Sequence, residues 1–159
     1  MTTHTTDLDT PRLRRVLGEF ATGVAVVAAE SDAGPVGMTV NSFTSVSLDP
    51  PMVLVCLANT ASTTRAVTAS GAFGVSILGR DQRGICDTFA AKHADKFAGV
   101  SCGATHRGAP LIDDALAHLD CRVSRVLPAG DHVVVIGTVE GATATGNGEP
   151  LTFFRGTLS

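Results

Sequence analysis

Apolar and polar positions along this chain fall into short blocks with two periods. After Thr10-Pro11, a hydroxyl suited to capping followed by a first-turn proline, Leu13, Val16, Leu17 and Phe20 recur at helical spacing. Arg12, Arg14, Arg15 and Glu19 occupy the other face, and Thr22-Gly23 ends the pattern. Val24 to Ala29 is a continuous run of β-branched and small apolar residues, which predicts a buried strand. Asp32 to Pro35 is a turn. Val36 to Ser42 and Thr44 to Leu48 alternate polar with apolar residues, as extended segments do, and Pro50-Pro51 interrupts them.

Met52 to Leu57 is a second buried strand, Thr60 to Ser70 a short helix, and Ala72 to Leu78 a third strand. Arg80 to Ala91 is a helix with Ile85 and Phe89 inward, Ala94 to Phe97 a turn or a single helical turn, and Ser101 to Gly108 a loop. Ala117 to Leu127 and Val133 to Ala142 are strands joined at Pro128-Ala129-Gly130, and Pro150 to Phe154 is the last. Long helices do not separate the strands regularly, which argues against a doubly wound parallel sheet. The pattern predicts a mostly antiparallel β barrel with helical insertions. One domain is expected over 10–159, preceded by a polar tail, 1–9, expected to be disordered.

Composition narrows the function. At 159 residues and 44% apolar, the chain can build one core. A net charge of -3 and pI near 5.9, with no Lys/Arg cluster, argue against a nucleic-acid partner. No apolar run is long enough to span a bilayer, and the first residues lack a secretory layout, so a soluble, cytoplasmic protein is expected. Cys56, Cys86, Cys102 and Cys121 include no CxxC pair and suit reduced, partly buried thiols rather than zinc ligands. Trp and Tyr are absent, leaving Phe as the stacking aromatic. Gly146-Asn147-Gly148 is followed by no helix and is not a dinucleotide fingerprint.

Three segments could carry chemistry. Gly37 to Pro51 interleaves hydroxyl and amide side chains with apolar ones, a surface that suits a ring with apolar faces and a polar edge. The same composition also describes a plain Ser/Thr-rich edge strand. Asn59 to Arg65 could hold a phosphate on hydroxyls and helix N–H groups, or be an ordinary helix start. Gly130-Asp131-His132 could bring a histidine to a cofactor, or be a surface turn. The other histidines show no spacing that suggests a metal.

In this order, the segments resemble the flavin reductase family with the FMN-binding split-barrel fold, the small components of two-component flavin-dependent monooxygenases. The marks are Thr22-Gly23-Val24, Thr39-Val40-Asn41-Ser42-Phe43 with Ser45 to Leu48, Pro50-Pro51, Ser62-Thr63-Thr64, Phe89-Ala90 with Asp95 to Val100, Gly130-Asp131-His132, and Pro150-Leu151 with Phe153 to Gly156. They cover the chain from about Leu13 to Gly156. The resemblance implies a homodimer with FMN or FAD on each barrel. It places Thr39, Val40, Asn41 and Ser42 against the isoalloxazine ring, Cys56, Leu57 and Ala58 along the ring and ribityl chain, and Ser62, Thr63 and Thr64 on the phosphate. Lys92 and Phe97 would close the site. His132, Phe154 and Arg155 would meet the nicotinamide nucleotide. Many relatives carry Tyr where this chain has Phe153 or Phe154, so a hydroxyl is missing here.

The implied activity is NAD(P)H-dependent reduction of flavin, with hydride passing from nicotinamide C4 to flavin N5, and delivery of the reduced flavin to a partner monooxygenase. The cofactors carry that chemistry, so no catalytic acid or base is required of the protein. No Arg cluster awaits a 2′-phosphate, which favours NADH over NADPH. Two rivals share the fold: a flavin-bound oxidase or oxygenase with its own substrate, and a non-enzymatic flavin carrier or sensor.

Overall fold

A computed structural model describes residues 8–93 and 95–159. Most of the expected N-terminal tail, and Ala94 of the expected Ala94–Phe97 turn, lie outside the described residues. Helix α1, Thr10–Leu17, starts one residue earlier than the capping pattern predicts. Asp9 is the cap, its carboxylate accepting the Arg12 N–H at 2.7 Å, and Thr10 is already helical. The helix stops at Leu17, and Glu19 and Phe20 close tighter turns back to Val16 and Leu17. No residue of α1 is buried, so its apolar stripe does not face this chain's own core. Leu13, Val16 and Leu17 are exposed, and Phe20 is 78% exposed.

The strands are β1 (Thr22–Gly23), β2 (Ala25–Ser31), β3 (Gly34–Val40), β4 (Thr44–Leu48) and β5 (Pro51–Ala58). Helix α2 (Ser62–Ser70) precedes β6 (Ala72–Ile77), and a 3₁₀ turn (Arg80–Gln82) runs into helix α3 (Arg83–Ala90). The Ser101–Gly108 segment, expected to be a loop, contains β7 (Cys102–Ala104), which pairs with β8 (Pro110–Ile112). A long hairpin, β9 (Ala117–Ala129) and β10 (His132–Ala144), is followed by the small hairpin β11 (Thr152–Phe154) and β12 (Thr157–Leu158).

Seven strands form one antiparallel sheet in the order β3-β2-β6-β9-β10-β5-β4. The continuous apolar run in β2 now has its reason: both faces are covered. Ala25, Val27 and Ala29 enter one core with Val40, Val55, Leu57, Phe73 and Val135. Val24, Val26 and Ala28 enter a second with Leu78, Phe89, Ile112 and Leu151. Side-chain crowding selects glycine on β10, where a Cβ at Gly137 would stand 2.6 Å from the Phe73 ring.

The sheet curls. Strands β3 and β4 lie at its opposite ends, yet only Asn41, Ser42 and Phe43 join them. Four peptide steps reach at most about 14 Å, so the two edges must come back together. Val40 from one end and Val53 from the other accordingly share one core. No β3–β4 ladder forms among the described residues, so the barrel is split, and the Asn41–Phe43 link crosses its seam.

Candidate functional site

The seam carries the site. Ser42 ties the link to β5: its hydroxyl accepts the Cys56 N–H and donates to the Cys56 carbonyl, both at 3.0 Å. The β4–β5 ladder runs from Leu48–Pro51 to Thr44–Leu54, and Ser42 serves the next outward-facing backbone pair of β5. Thr39, at the end of β3, donates to the Cys86 carbonyl at 2.7 Å and so fastens α3 over the seam.

A pocket of about 280 Å³ opens between these elements. Val24, just before β2, and Val40, at the end of β3, line it on one side, Cys86, Asp87 and Ala90 from α3, and Phe153 and Leu158 from the β11–β12 hairpin. Thr39 and Asn41 add polar groups. Burial, and next the negative charge of Asp87, push the Cys86 thiol up, which keeps it protonated. A mostly apolar slot with a few polar groups at its edge fits a flat heteroaromatic ring. Sequence reading missed the α3 contribution, because nothing local in Cys86-Asp87 signals that helix's docking on β3.

Farther along β5 the side chains alternate. Cys56 and Ala58 are half-buried on the outer side, while Leu57 points into the core and offers a ligand only its backbone. Helix α2 then begins at Ser62 with no side-chain cap on its N-terminus, leaving N–H groups free for an anion. Ser62 is exposed, whereas Thr63 and Thr64 are buried. The Thr64 hydroxyl is committed to the Ala58 carbonyl at 2.6 Å. Of the three hydroxyls expected on a phosphate, only that of Ser62 reaches the surface. The stretch from Thr39 to Ser62 thus joins one wall of the apolar slot to an uncapped helix start.

His132 pairs with Ala58 across the β10–β5 ladder. Asn59 completes the junction, its backbone N–H donating to the Asp131 carbonyl at 3.0 Å and its side chain to the Gly130 carbonyl at 3.2 Å. His132 Nδ1 lies 2.6 Å from Asp131 Oδ1, and that hydrogen bond holds the Asp131 carboxyl below its usual range. The Gly130-Asp131-His132 turn therefore stands beside the start of α2. Phe153, rather than Phe154, lines the pocket. Phe154 is partly exposed beneath the Arg155 guanidinium, 4.8 Å from its ring centre. Arg155 is engaged by Glu19 through hydrogen bonds of 2.8 to 3.1 Å. Phe97 stacks edge-on against Phe89 at 4.8 Å, and Lys92 is exposed just after α3.

One cluster has no counterpart in the sequence reading. His106, Asp120 and Glu140 converge, with ligand-type atoms within 4.8 Å of one another. Arg107 and Arg122 donate to Glu140 at 2.7 to 3.0 Å. These hydrogen bonds drive the Glu140 carboxyl down to about 2. Two guanidinium groups already neutralise the carboxylate a cation would need, so this is an ion-pair network.

Among the described residues no helix is long and apolar enough to cross a membrane. A family profile described as a flavin reductase like domain matches residues 17–159. The chain is 38% identical over 149 residues to the reductase subunit HsaB of a flavin-dependent monooxygenase from Rhodococcus jostii, covering 94% of this chain and 76% of that protein. It is 39% identical over 150 residues to a flavin reductase of Pseudomonas putida, covering 94% and 88%. Its fold superposes with a TM-score of 0.91 on the NADH:FAD oxidoreductase SgcE6 of Streptomyces globisporus, solved with NAD and FAD fragments, at 41% identity over 95% of this chain and 92% of that one. With a profile match over residues 17–159 and relatives this similar over 94% of its length, the chain belongs to the flavin reductase family.

Proposed function

We propose that this protein is an NAD(P)H-dependent flavin reductase that reduces FMN or FAD and supplies the reduced flavin to a partner monooxygenase. The observation that carries the reading is the seam: one run of chain, Thr39 to Thr64, contributes both one wall of an apolar slot and an uncapped helix start. When bound together, a dihydronicotinamide supplies a hydride and the flavin accepts it. The protein's part is positioning and exclusion of water. Thr39, Val40, Asn41 and Ser42 flank the ring, the backbone of Cys56, Leu57 and Ala58 follows the ribityl chain, and the α2 N-terminus with Ser62 holds the phosphate. Thr63 and Thr64 act there through their N–H groups. His132 meets the nicotinamide nucleotide from beside Ala58. Phe154 and Arg155 join it only if the Glu19 pair opens, and Lys92 and Phe97 close the α3 side.

NADH is the preferred reductant on this reading. Relatives whose names specify monooxygenase reductase subunits support the partner. The exposed stripe of α1 supports a homodimer, since a second copy would cover it. A cytoplasmic location goes with both cofactors. The test is aerobic NADH oxidation with and without added FMN or FAD. Turnover that depends on flavin is expected. Flavin held tightly with no NADH oxidation would overturn the reading in favour of a carrier.

A further inference from the structure

Asn41 and Asp87 both line the seam pocket, and neither side chain makes a hydrogen bond or ion pair among the described residues. Asn41 is neutral. Asp87 brings a formal negative charge to a slot otherwise walled by Val24, Val40, Ala90 and Phe153. Arg83, one turn earlier on α3, forms no ion pair with it. Asp87 is exposed, so without a ligand water hydrates its charge, and a ring seated in the slot would take part of that hydration away.

Resting on the function proposed above, we infer that Asp87 sets the difference in affinity between oxidised and reduced flavin, weakening the hold on the reduced form. Moving a hydride, two electrons and one proton, from a dihydronicotinamide to flavin N5 breaks a C–H bond and forms an N–H bond. It leaves a cationic nicotinamide and an anionic reduced flavin. A fixed negative charge at the ring slot attracts the first and repels the second. A ring seated in the slot displaces water from between itself and the carboxylate, which leaves that repulsion less screened than in open solvent. The direction suits a supplier, because the product that must depart is the one the pocket disfavours.

Asp87 is exposed on a helix surface, so Asp87→Asn and Asp87→Glu should both fold. Anaerobic titrations with oxidised FMN and with dithionite-reduced FMN, read by equilibrium dialysis, give the two dissociation constants for each protein. Wild type and Asp87→Glu should bind reduced FMN more weakly than oxidised. Asp87→Asn should tighten reduced FMN on the order of tenfold while oxidised FMN changes by about twofold or less. Tenfold corresponds to a rise of about 30 mV in the two-electron potential of the bound flavin. Equal changes in both constants, or none, in a protein that still oxidises NADH on addition of flavin, would overturn this inference alone. A wild-type protein with no flavin-dependent NADH oxidation would overturn the functional reading, and this inference with it.

Discussion

Ser42→Ala removes the hydroxyl that hydrogen-bonds the seam link to β5. Two hydrogen bonds of 3.0 Å disappear, and the Cys56 N–H and carbonyl lose their partner. A hydrogen bond contributes about 1 kcal/mol net, and a buried group left unpaired costs about 1–3 kcal/mol. Cys56 is half-buried, so water can replace part of what is lost, and the expected destabilisation is about 2 kcal/mol. For a chain of this size that lowers Tm by about 4–8 °C. The freed link must also be re-ordered whenever flavin binds. The same free energy taken from binding weakens flavin affinity by about tenfold or more. Ser42→Thr keeps the hydroxyl and should retain most of both. Scanning calorimetry and a flavin titration on the same samples check the chain of reasoning. A Ser42→Ala protein with Tm within about 1 °C of wild type and unchanged flavin affinity would refute it.

Gly137→Ala should destabilise by about 1–3 kcal/mol in urea unfolding, because the new methyl meets the Phe73 ring and the Cys121 side chain inside a packed core. The Glu140 carboxyl is lowered from 4.5 to about 2 in the folded protein, so its contribution is present above pH 4.5 and fades as pH falls toward 2. Glu140→Gln should therefore flatten the acid limb of a Tm-against-pH profile and leave activity on added flavin unaltered, since Glu140 lies away from the seam. His132→Ala should raise the KM for NADH and slow flavin reduction in stopped flow more than it changes flavin affinity. Unchanged reduction rate and nucleotide affinity would remove His132 from the nicotinamide side.

Much of the local structure was legible along the chain. The unbroken apolar run from Val24 marked a buried strand, and the alternation from Val36 to Leu48 marked two extended segments, since side-chain period and burial are local consequences of backbone geometry. The turn at Gly130-Asp131 also declared itself, through residues that tolerate its dihedrals. Other features depended on partners not in view along the chain. The stripe on α1 has helical spacing but faces no core of this chain, because periodicity identifies an apolar face and not what covers it. Hydroxyls at Thr63 and Thr64 looked available for a phosphate, yet the packing of α2 against β2 buries both. The short β7–β8 pair had too few residues to show a period.

By itself, then, the order of residues determined most of the strands and the antiparallel class, and through a family resemblance it pointed to Thr39 to Thr64 as the stretch proposed to bind a nucleotide. Only the tertiary structure decided the shape of that site. The curl of the sheet brings β3 and β4, its two ends, to one seam, and α3 and the β11–β12 hairpin close over it from distant parts of the chain. Such contacts depend on how two buried faces of one sheet are satisfied at once, a condition set by the whole core and written in no single segment.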